Sequence, residues 1–377
     1  MTTTVSLTSA LSHQIAQAIH GAGGWIGFDE FMAQALYAPG MGYYAHDSIK
    51  FGLLPAQADG APGSDFVTAP EISPLFGWTL AQQLAQALRL TQTQEVWEFG
   101  AGSGVLALRL LQGLQAQGLD LPRYTIVDLS GSLRERQRET LAPFADRVQW
   151  VSALPDHMTG VVLGNEVLDA MPVKLLNRVQ GRWHERGVAL GASTDAALPR
   201  FVWQDRATDL RPPMAIAGDH DYLTEIHHQG EAFVRTLGDK LVKGAVFLID
   251  YGFPEAEYYH PQRHMGTVMC HHQHRSDPDP LSLVGYKDIT AHVNFTALAL
   301  AANEAGLDVL GYCNQARFLI NCGFLQQLEV ADLPARVMAQ KLVMEHEMGE
   351  LFKVIGFCKG QSWQALGFEH GDKTHTL

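Results

Sequence analysis

The segment from Glu98 to Gly104 contains the residues whose types and spacing are best suited to binding a ligand. It reads EFGAGSG, follows an apolar run and precedes the helical sequence VLALRLLQGL. Glycines between a strand and a helix allow a ligand to approach the backbone N–H groups of the helix N-terminus. The spacing therefore predicts a cofactor-binding turn formed by Gly100, Gly102 and Gly104. A tight turn without a ligand is the structural alternative.

Two further residues bear on which cofactor this turn would hold. The dinucleotide fingerprint G-x-G-x-x-G requires a glycine at position 105, where this sequence has Val105. An acidic residue two positions before G-x-G-x-G, here Glu98, instead favours S-adenosyl-L-methionine (SAM) over NAD. Asp128 ends the next apolar run, where a carboxylate can accept hydrogen bonds from both ribose hydroxyls of either cofactor. A solvated carboxylate or a helix N-cap is the alternative for Asp128.

A second polar cluster, GNEVLDAMP at 164–172, follows the apolar run VVL. Polar side chains at the carboxyl end of a central parallel strand face the ligand crevice of an α/β sheet. We therefore expect Asn165 to contact the cofactor, and Glu166 and Asp169 to be catalytic. The alternative is a helix start at which acidic residues only favour the helix dipole.

Cysteine and histidine are concentrated at 264–274, which raises the question of a metal site. Cys270, His271, His272 and His274 carry the side chains that zinc prefers. Adjacent side chains of one short loop rarely converge on a tetrahedral ion, and no second ligand pair stands at a telling spacing. The sequence therefore predicts no metal site.

Short apolar runs separated by longer helical stretches would position these residues at one edge of a sheet. The alternation predicts an α/β fold with mostly parallel central strands, namely EVWEF, YTIVD, VQWV, GVVLGNEV and AVFLIDYG. A hairpin centred on Gly181 is expected at the edge or top of this sheet. Helices are expected at Thr224–Lys243, 291–305 and 325–348, and late strands at LDVLGYC and LFKVIGFCKG.

These elements predict four regions along the chain. Residues 1–90 form an N-terminal helical region and lid loop, and 91–261 form the Rossmann-like core with a hairpin insertion at about 174–215. Residues 262–345 form a helical region that faces the substrate, and 346–377 the final strand and tail.

Composition limits the partners. The net charge of the 377 residues is −13 and the sequence pI is about 5.7. This charge disfavours nucleic acid and anionic membranes and favours a basic protein partner. The first twenty residues contain no Lys or Arg, no apolar run approaches the length of a membrane span, and the four cysteines form no C-x-x-C pair. We expect a cytoplasmic protein without membrane insertion.

Several longer motifs resemble the MidA family of class I methyltransferases, which includes mitochondrial assembly factors of respiratory complex I. The resemblance extends from about Trp25 to Gly360. It is carried by FVTAPEISPLFG, VWEFGAGSG, GNEVLDAMPV, IDYG, DITAHVNF and LFKVIGF. The sequence departs from the family in the loop at 52–65, which is expanded and has Ser64 before Asp65.

The resemblance implies a seven-stranded, Rossmann-like methyltransferase sheet with extra helices, SAM as methyl donor, and an arginine of a protein as acceptor. In the mitochondrial members that arginine belongs to a complex I subunit. The family's SAM motif corresponds to Glu98, Gly100, Gly102 and Gly104, and its ribose carboxylate to Asp128. Its motif after the fourth strand corresponds to Asn165, Glu166 and Asp169, and its TAPEIS motif includes Glu71.

An arginine acceptor requires carboxylates, because a guanidinium stays protonated in water and is bound bidentately by them. Glu166 and Asp169 are the expected catalytic residues, with Glu71 as a third. Three alternatives stay open: an assembly chaperone that binds SAM or a partner without turnover, a small-molecule methyltransferase and, more remotely, a nicotinamide oxidoreductase. A homodimer is also left open.

Overall fold

The structure is a computed structural model, and the residues it describes are 2–45, 68–128, 131–192, 198–273 and 275–377. The expanded loop at 52–65 and His274 lie outside these ranges. Within the described ranges no helix is both long enough and apolar enough to cross a membrane.

The helices and strands of the described residues alternate along most of the chain. The α-helices are α1 Thr2–Gly21, α2 Phe28–Tyr37, α3 Ala69–Ile72, α4 Pro74–Thr91, α5 Val105–Ala116, α6 Gly131–Thr140, α7 His228–Lys240, α8 Glu255–Tyr258, α9 Phe295–Glu304, α10 Gln315–Asn321, α11 Phe324–Val330 and α12 Leu333–Gln340. The strands are β1 Trp25–Gly27, β2 Glu95–Phe99, β3 Arg123–Val127, β4 Val148–Val151, β5 Met158–Asn165, β6 Lys174–Val179, β7 Arg182–Leu190, β8 Phe201–Ala207, β9 Tyr222–Ile226, β10 Leu241–Phe253, β11 Met269–His272, β12 Arg275–Asp277, β13 Asp288–Thr290, β14 Val293–Asn294, β15 Asp308–Asn314 and β16 Phe352–Lys359.

The chain divides into two compact units, each assembled from three separate segments. The first contains Met1–Ser48, Asp169–Gly230 and Glu255–Asn294, and the second contains Ile49–Leu168, Glu231–Pro254 and Phe295–Leu377. The expected regions 1–90, 91–261, 262–345 and 346–377 are consecutive along the chain and stay a prediction.

The second unit contains the expected α/β sheet. Seven of its strands follow the order β15-β16-β10-β5-β2-β3-β4. The β10-β5, β5-β2, β2-β3 and β3-β4 pairs are parallel, whereas β16 is antiparallel to both of its neighbours.

The central strands are continuous apolar runs because helices cover both faces of a parallel sheet. Val161, Val162 and Leu163 of β5 and Phe247 of β10 are fully buried. The sheet is therefore a rigid support. Phe99 and Asn165, the last residues of β2 and β5, lie at the carboxyl edge of this sheet.

Two helices fix the position of the glycine turn against this base. Helix α5 buries Leu106, Leu110 and Leu114, as their spacing of four predicts. A Cβ atom added at Gly113 would lie 2.7 Å from the Ala81 Cβ atom of α4. The glycine thus lets α4 approach α5 closely, and α5 begins directly after the turn.

The first unit contains two antiparallel sheets. The larger has the order β1-β7-β6-β9 with β8 paired to β7, and the smaller is β12-β11-β13. The expected hairpin at Gly181 is present, with positive φ at Gln180 (50°) and Gly181 (73°), as a tight hairpin turn requires. The expectation that it could form an edge of the central sheet is wrong, because β6 pairs with β7 and β9 in this separate sheet.

Two helix expectations also need correction. The segment Thr224–Lys243 is not one helix, because Tyr222–Ile226 pairs with β6 as a strand and the helix starts at His228. The segment 325–348 is divided where Asp332 caps α12 by accepting a hydrogen bond from the Ala335 N–H group. The late strands are confirmed as β15 and β16.

Phe247→Ala should lower the free energy of unfolding by about 3–5 kcal/mol, because it leaves a cavity beneath the central sheet. Val242→Ala, on the same strand but 56% exposed, should change it by no more than about 0.5 kcal/mol. Urea unfolding of both variants measures the difference. Equal losses of unfolding free energy in the two variants would contradict the burial of Phe247 in the core.

Candidate functional site

The glycine turn adopts the backbone conformation that its sequence predicts. Gly100, Gly102 and Gly104 have φ values of 64°, 52° and 82°, all in the left-handed region that favours glycine. The Gly104 N–H group donates to the Ala101 carbonyl at 2.8 Å, and Gly104 is the N-cap of α5. The turn therefore places the first N–H groups of α5 directly beyond the end of β2.

The side chain of Val167 packs against this turn. A Cβ atom at Gly100 would lie 2.7 Å from Val167 Cγ1, and one at Gly164 would lie 2.8 Å from Val167 Cγ2. Because a β-branched side chain rotates little about χ1, Val167 cannot readily yield to an added methyl group. Close packing thus holds the segment after β5 against the turn.

Glu98 is a buried carboxyl group next to the turn. It is 1% exposed and accepts a hydrogen bond from the Tyr124 hydroxyl at 2.8 Å. Burial raises the pKa of Glu98 to about 8 despite this hydrogen bond, and the nearby charge of Asp128 raises it further. Glu98 is therefore mostly protonated at neutral pH and can also donate a hydrogen bond.

Asp128 follows β3 and is held through both its main chain and its side chain. Its N–H group donates to the Val151 carbonyl at 3.3 Å, and the Arg134 guanidinium donates to its carbonyl oxygen. The Gln137 side-chain amide donates to Asp128 Oδ2 at 2.8 Å and to the Gly102 carbonyl at 3.0 Å. Gln137 thus joins Asp128 to the glycine turn.

Sequence reasoning did not identify Gln137. It lies in the polar helix sequence GSLRERQRET, and no local pattern distinguishes it from its neighbours. Asp250, in the IDYG motif, was also missed as a site residue. It is fully buried, and its two carboxylate oxygens accept from the N–H groups of Leu168 and Tyr251, each at 2.9 Å.

Asn165 is the last residue of β5, and Glu166 follows it at the same edge of the sheet. The Asn165 amide donates to Glu166 Oε1 at 2.9 Å, and the Glu166 N–H group donates to the Ile249 carbonyl at 2.9 Å. Glu166 has a φ of 54°, an uncommon conformation for a residue with a side chain. Strain of this kind is concentrated at functional sites. The backbone strain at Glu166 therefore marks it as a candidate functional residue.

One buried acceptor at this edge lacks a partner among the described residues. Asn165 is 9% exposed, and its Oδ1 atom accepts no hydrogen bond. A buried unsatisfied acceptor costs about 1–3 kcal/mol. A ligand group with an N–H donor, such as the amino group of SAM, would satisfy it.

Glu71 of the TAPEIS motif also reaches the turn, since its carboxylate accepts a hydrogen bond from the Ser103 hydroxyl. This hydrogen bond places Glu71 beside the cofactor-binding turn. The residue adjoins α4, whose N-cap Ser73 accepts from the Leu75 N–H group at 3.2 Å.

Asp169 belongs to the first unit. It is buried, and its carbonyl oxygen accepts from the Ala291 N–H group at 2.9 Å. In the same unit the Tyr37 and Tyr44 rings stack with centroids 5.6 Å apart, and the Tyr44 hydroxyl donates to Asp288 Oδ1 at 2.9 Å. Burial and then the charge of Asp288 raise the pKa of both tyrosines, with a smaller contribution from Asp169.

The second unit thus brings together eight of the nine residues expected from the sequence, and Asp169 lies in the first unit. The turn glycines, Asp128 and Asn165 suit SAM, because backbone N–H groups, a carboxylate and an orphaned amide oxygen match its carboxylate, ribose and amino groups. No group of His, Cys, Asp and Glu in the described part of the chain could hold a metal ion.

Gly100→Ala should destabilise the protein more than Gly118→Ala does. Both glycines have left-handed φ values, but nothing lies within 4 Å of a Cβ atom at Gly118. Gly118→Ala should therefore lower the free energy of unfolding by about 1–2 kcal/mol, because of the backbone conformation alone. Gly100→Ala should lower it by about 1–3 kcal/mol more, because the added methyl group clashes with Val167. Urea unfolding measures both, and equal costs would contradict the packing at the turn.

Glu98→Gln should remove a pH dependence of stability. The pKa of Glu98 is about 8 in the folded protein and near 4.5 in the unfolded chain. Its contribution to the stability of the folded protein is therefore fully present below pH 4.5 and is lost as the pH rises through 8. The variant should therefore gain stability relative to the wild type between pH 5.5 and about 8.5. Glu329→Gln, at an exposed carboxylate, is the control. A pH-independent difference for Glu98→Gln would contradict the buried, neutral carboxyl group.

Comparison with known proteins identifies the family. A family model described as “Putative S-adenosyl-L-methionine-dependent methyltransferase” matches residues 79–313. A crystal structure from Burkholderia thailandensis, described as a “likely methyl transferase” bound to S-adenosyl-homocysteine, is 49% identical with a TM-score of 0.92, over 99% of this chain and 98% of that one. A native crystal structure from the same organism is 48% identical with a TM-score of 0.89 over the same shares.

More distant relatives carry a more specific name. The protein arginine methyltransferase NDUFAF7 of Danio rerio is 26% identical over 92% of this chain and 86% of its own length. The human protein of that name is 27% identical over 80% of this chain and 70% of its own length. The chain therefore belongs to the MidA family of class I, SAM-dependent methyltransferases.

Proposed function

We propose that this chain transfers the methyl group of SAM to an arginine side chain of a protein. The observation that carries the proposal is the Glu166 carboxylate, which Asn165 holds at the carboxyl end of β5 beside the glycine turn. The relatives named protein arginine methyltransferases support the same acceptor. The net charge of −13 favours a basic substrate.

When bound, SAM supplies an electrophilic methyl group on a sulfonium. Transfer of this methyl group to a guanidinium nitrogen would release S-adenosylhomocysteine, and the nitrogen would lose one proton. In the proposed mechanism Glu166 binds the guanidinium, fixes its plane and accepts the proton. The hydrogen bond from Asn165 keeps the carboxylate in one orientation, which lowers the cost of aligning the reacting nitrogen.

Asp169 is the second proposed catalytic carboxylate. Its buried position, together with Asp288 and the stacked pair Tyr37 and Tyr44, gives the first unit a combination of acidic and aromatic groups. Carboxylates and aromatic faces both attract a guanidinium. Glu71 is the third proposed catalytic residue. Its hydrogen bond with Ser103 also helps to fix the turn.

The substrate within this class is a further proposal. A respiratory complex I subunit is the proposed acceptor by analogy with the mitochondrial members of the family. We also propose a cytoplasmic location and a protein partner, with a homodimer as the proposed assembly to test by light scattering.

Glu166→Gln should reduce methyl transfer by at least about 100-fold, because the variant can neither hold the guanidinium by charge nor accept its proton. Incubation with methyl-labelled SAM and arginine-containing peptides, followed by mass spectrometry, measures the product. The affinity for S-adenosylhomocysteine should stay within about threefold of the wild type. Glu329→Gln, at an exposed carboxylate of α11, should leave turnover unchanged.

The same assay separates the competing functions. Methyl groups on lysine, or only on small molecules, would contradict an arginine acceptor. Cofactor binding by the wild type with no methyl product on any peptide or lysate protein would favour an assembly chaperone.

A further inference from the structure

Gln137 of α6 is fully buried, and its side chain is hydrogen-bonded to Gly102, Asp128 and Trp150. Its amide nitrogen donates to the Gly102 carbonyl at 3.0 Å and to Asp128 Oδ2 at 2.8 Å. Its amide oxygen accepts from the Trp150 indole at 2.8 Å. We propose that Gln137 is a positioning residue that fixes the Asp128 carboxylate for the ribose hydroxyls of SAM and couples it to the glycine turn.

The three partners determine which way the amide faces. An indole N–H group can only donate, so the amide oxygen of Gln137 must face Trp150. The NH₂ group then faces the two acceptors, Gly102 and Asp128, and each of its N–H groups serves one of them. The flipped amide would place its nitrogen against the indole donor and its oxygen against two acceptors, so only one orientation is compatible with these neighbours.

The main chain of Asp128 is fixed separately from its side chain. Its N–H group is bound to Val151 and its carbonyl to Arg134. The hydrogen bond from Gln137 acts instead on the side-chain torsions of Asp128. A carboxylate ordered before binding does not lose that freedom when the ribose arrives, which increases affinity.

Close packing makes this arrangement rigid. A Cβ atom at Gly104 would lie 3.3 Å from the Gln137 Cα atom, so α6 lies directly against the end of the turn. A displacement of Gln137 would therefore affect Gly102 and Asp128 together. The backbone part and the ribose part of the cofactor site should behave as one unit.

Gln137→Met tests the proposal, because methionine is similar in length and has no N–H donor. The probes are S-adenosylhomocysteine and its 2′-deoxyribose analogue, measured by calorimetry with the purified full chain. The wild type should bind the deoxy analogue about tenfold more weakly, since it lacks one hydrogen bond to a charged group. Gln137→Met should reduce this ratio at least about threefold.

Gln149→Met is the matched control. Gln149 is on β4, and its amide donates to the Thr125 hydroxyl at 2.8 Å. The control should retain the wild-type ratio. If Gln137→Met does not fold, Gln137→Leu also removes the N–H donor without adding a titratable group, so it should lower the ratio too.

Three outcomes would overturn the proposal. A folded Gln137 variant with the wild-type ratio would show that Asp128 needs no support from it. Equal weakening of both probes would indicate a structural role alone. A wild type that does not distinguish the probes would remove the ribose role of Asp128. None of these results depends on the identity of the methyl acceptor.

Discussion

Buried polar groups at the carboxyl edge of the central sheet must have hydrogen-bond partners, and the cofactor side of the second unit depends on this requirement. Glu98 accepts from Tyr124, and Asp250 accepts from two backbone N–H groups. Each bond avoids the cost of a desolvated, unpaired group, about 1–3 kcal/mol. The Oδ1 atom of Asn165 departs from this pattern, and it lies where a ligand is expected.

The glycine turn can occupy this edge only because its surroundings accommodate it. Left-handed φ values at three glycines bend the chain sharply between β2 and α5. Val167 fills the space that a side chain at Gly100 would take, and the close approach at Gly113 seats α5 on α4. The same packing that stabilises the turn therefore also positions the segment after β5, which contains Glu166.

The features that the sequence predicted correctly have local signals. The central strands are continuous apolar runs, and α5 shows leucines at intervals of four, so their types follow from a few neighbouring residues. The turn glycines likewise needed only their own spacing. The motifs of the family then indicated SAM, which the comparisons confirm.

The features that the sequence missed depend on distant residues. Residues 222–226 form a strand because β6 lies beside them, and no pattern within YLTEI distinguishes that outcome from a helix. Gln137 matters because the chain brings Gly102, Asp128 and Trp150 to it. Asp250 binds an N–H group 82 residues away in the sequence. The assignment of Asp169 to the first unit is also a property of long-range contacts.

Calorimetric titration of the purified chain with SAM and, separately, with NADH tests the central claim most directly. The carboxyl edge of the sheet, with Val105 in place of the third fingerprint glycine, predicts micromolar binding of SAM and no measurable binding of NADH. Binding of NADH, or no binding of SAM by folded protein, would contradict the assignment of this site.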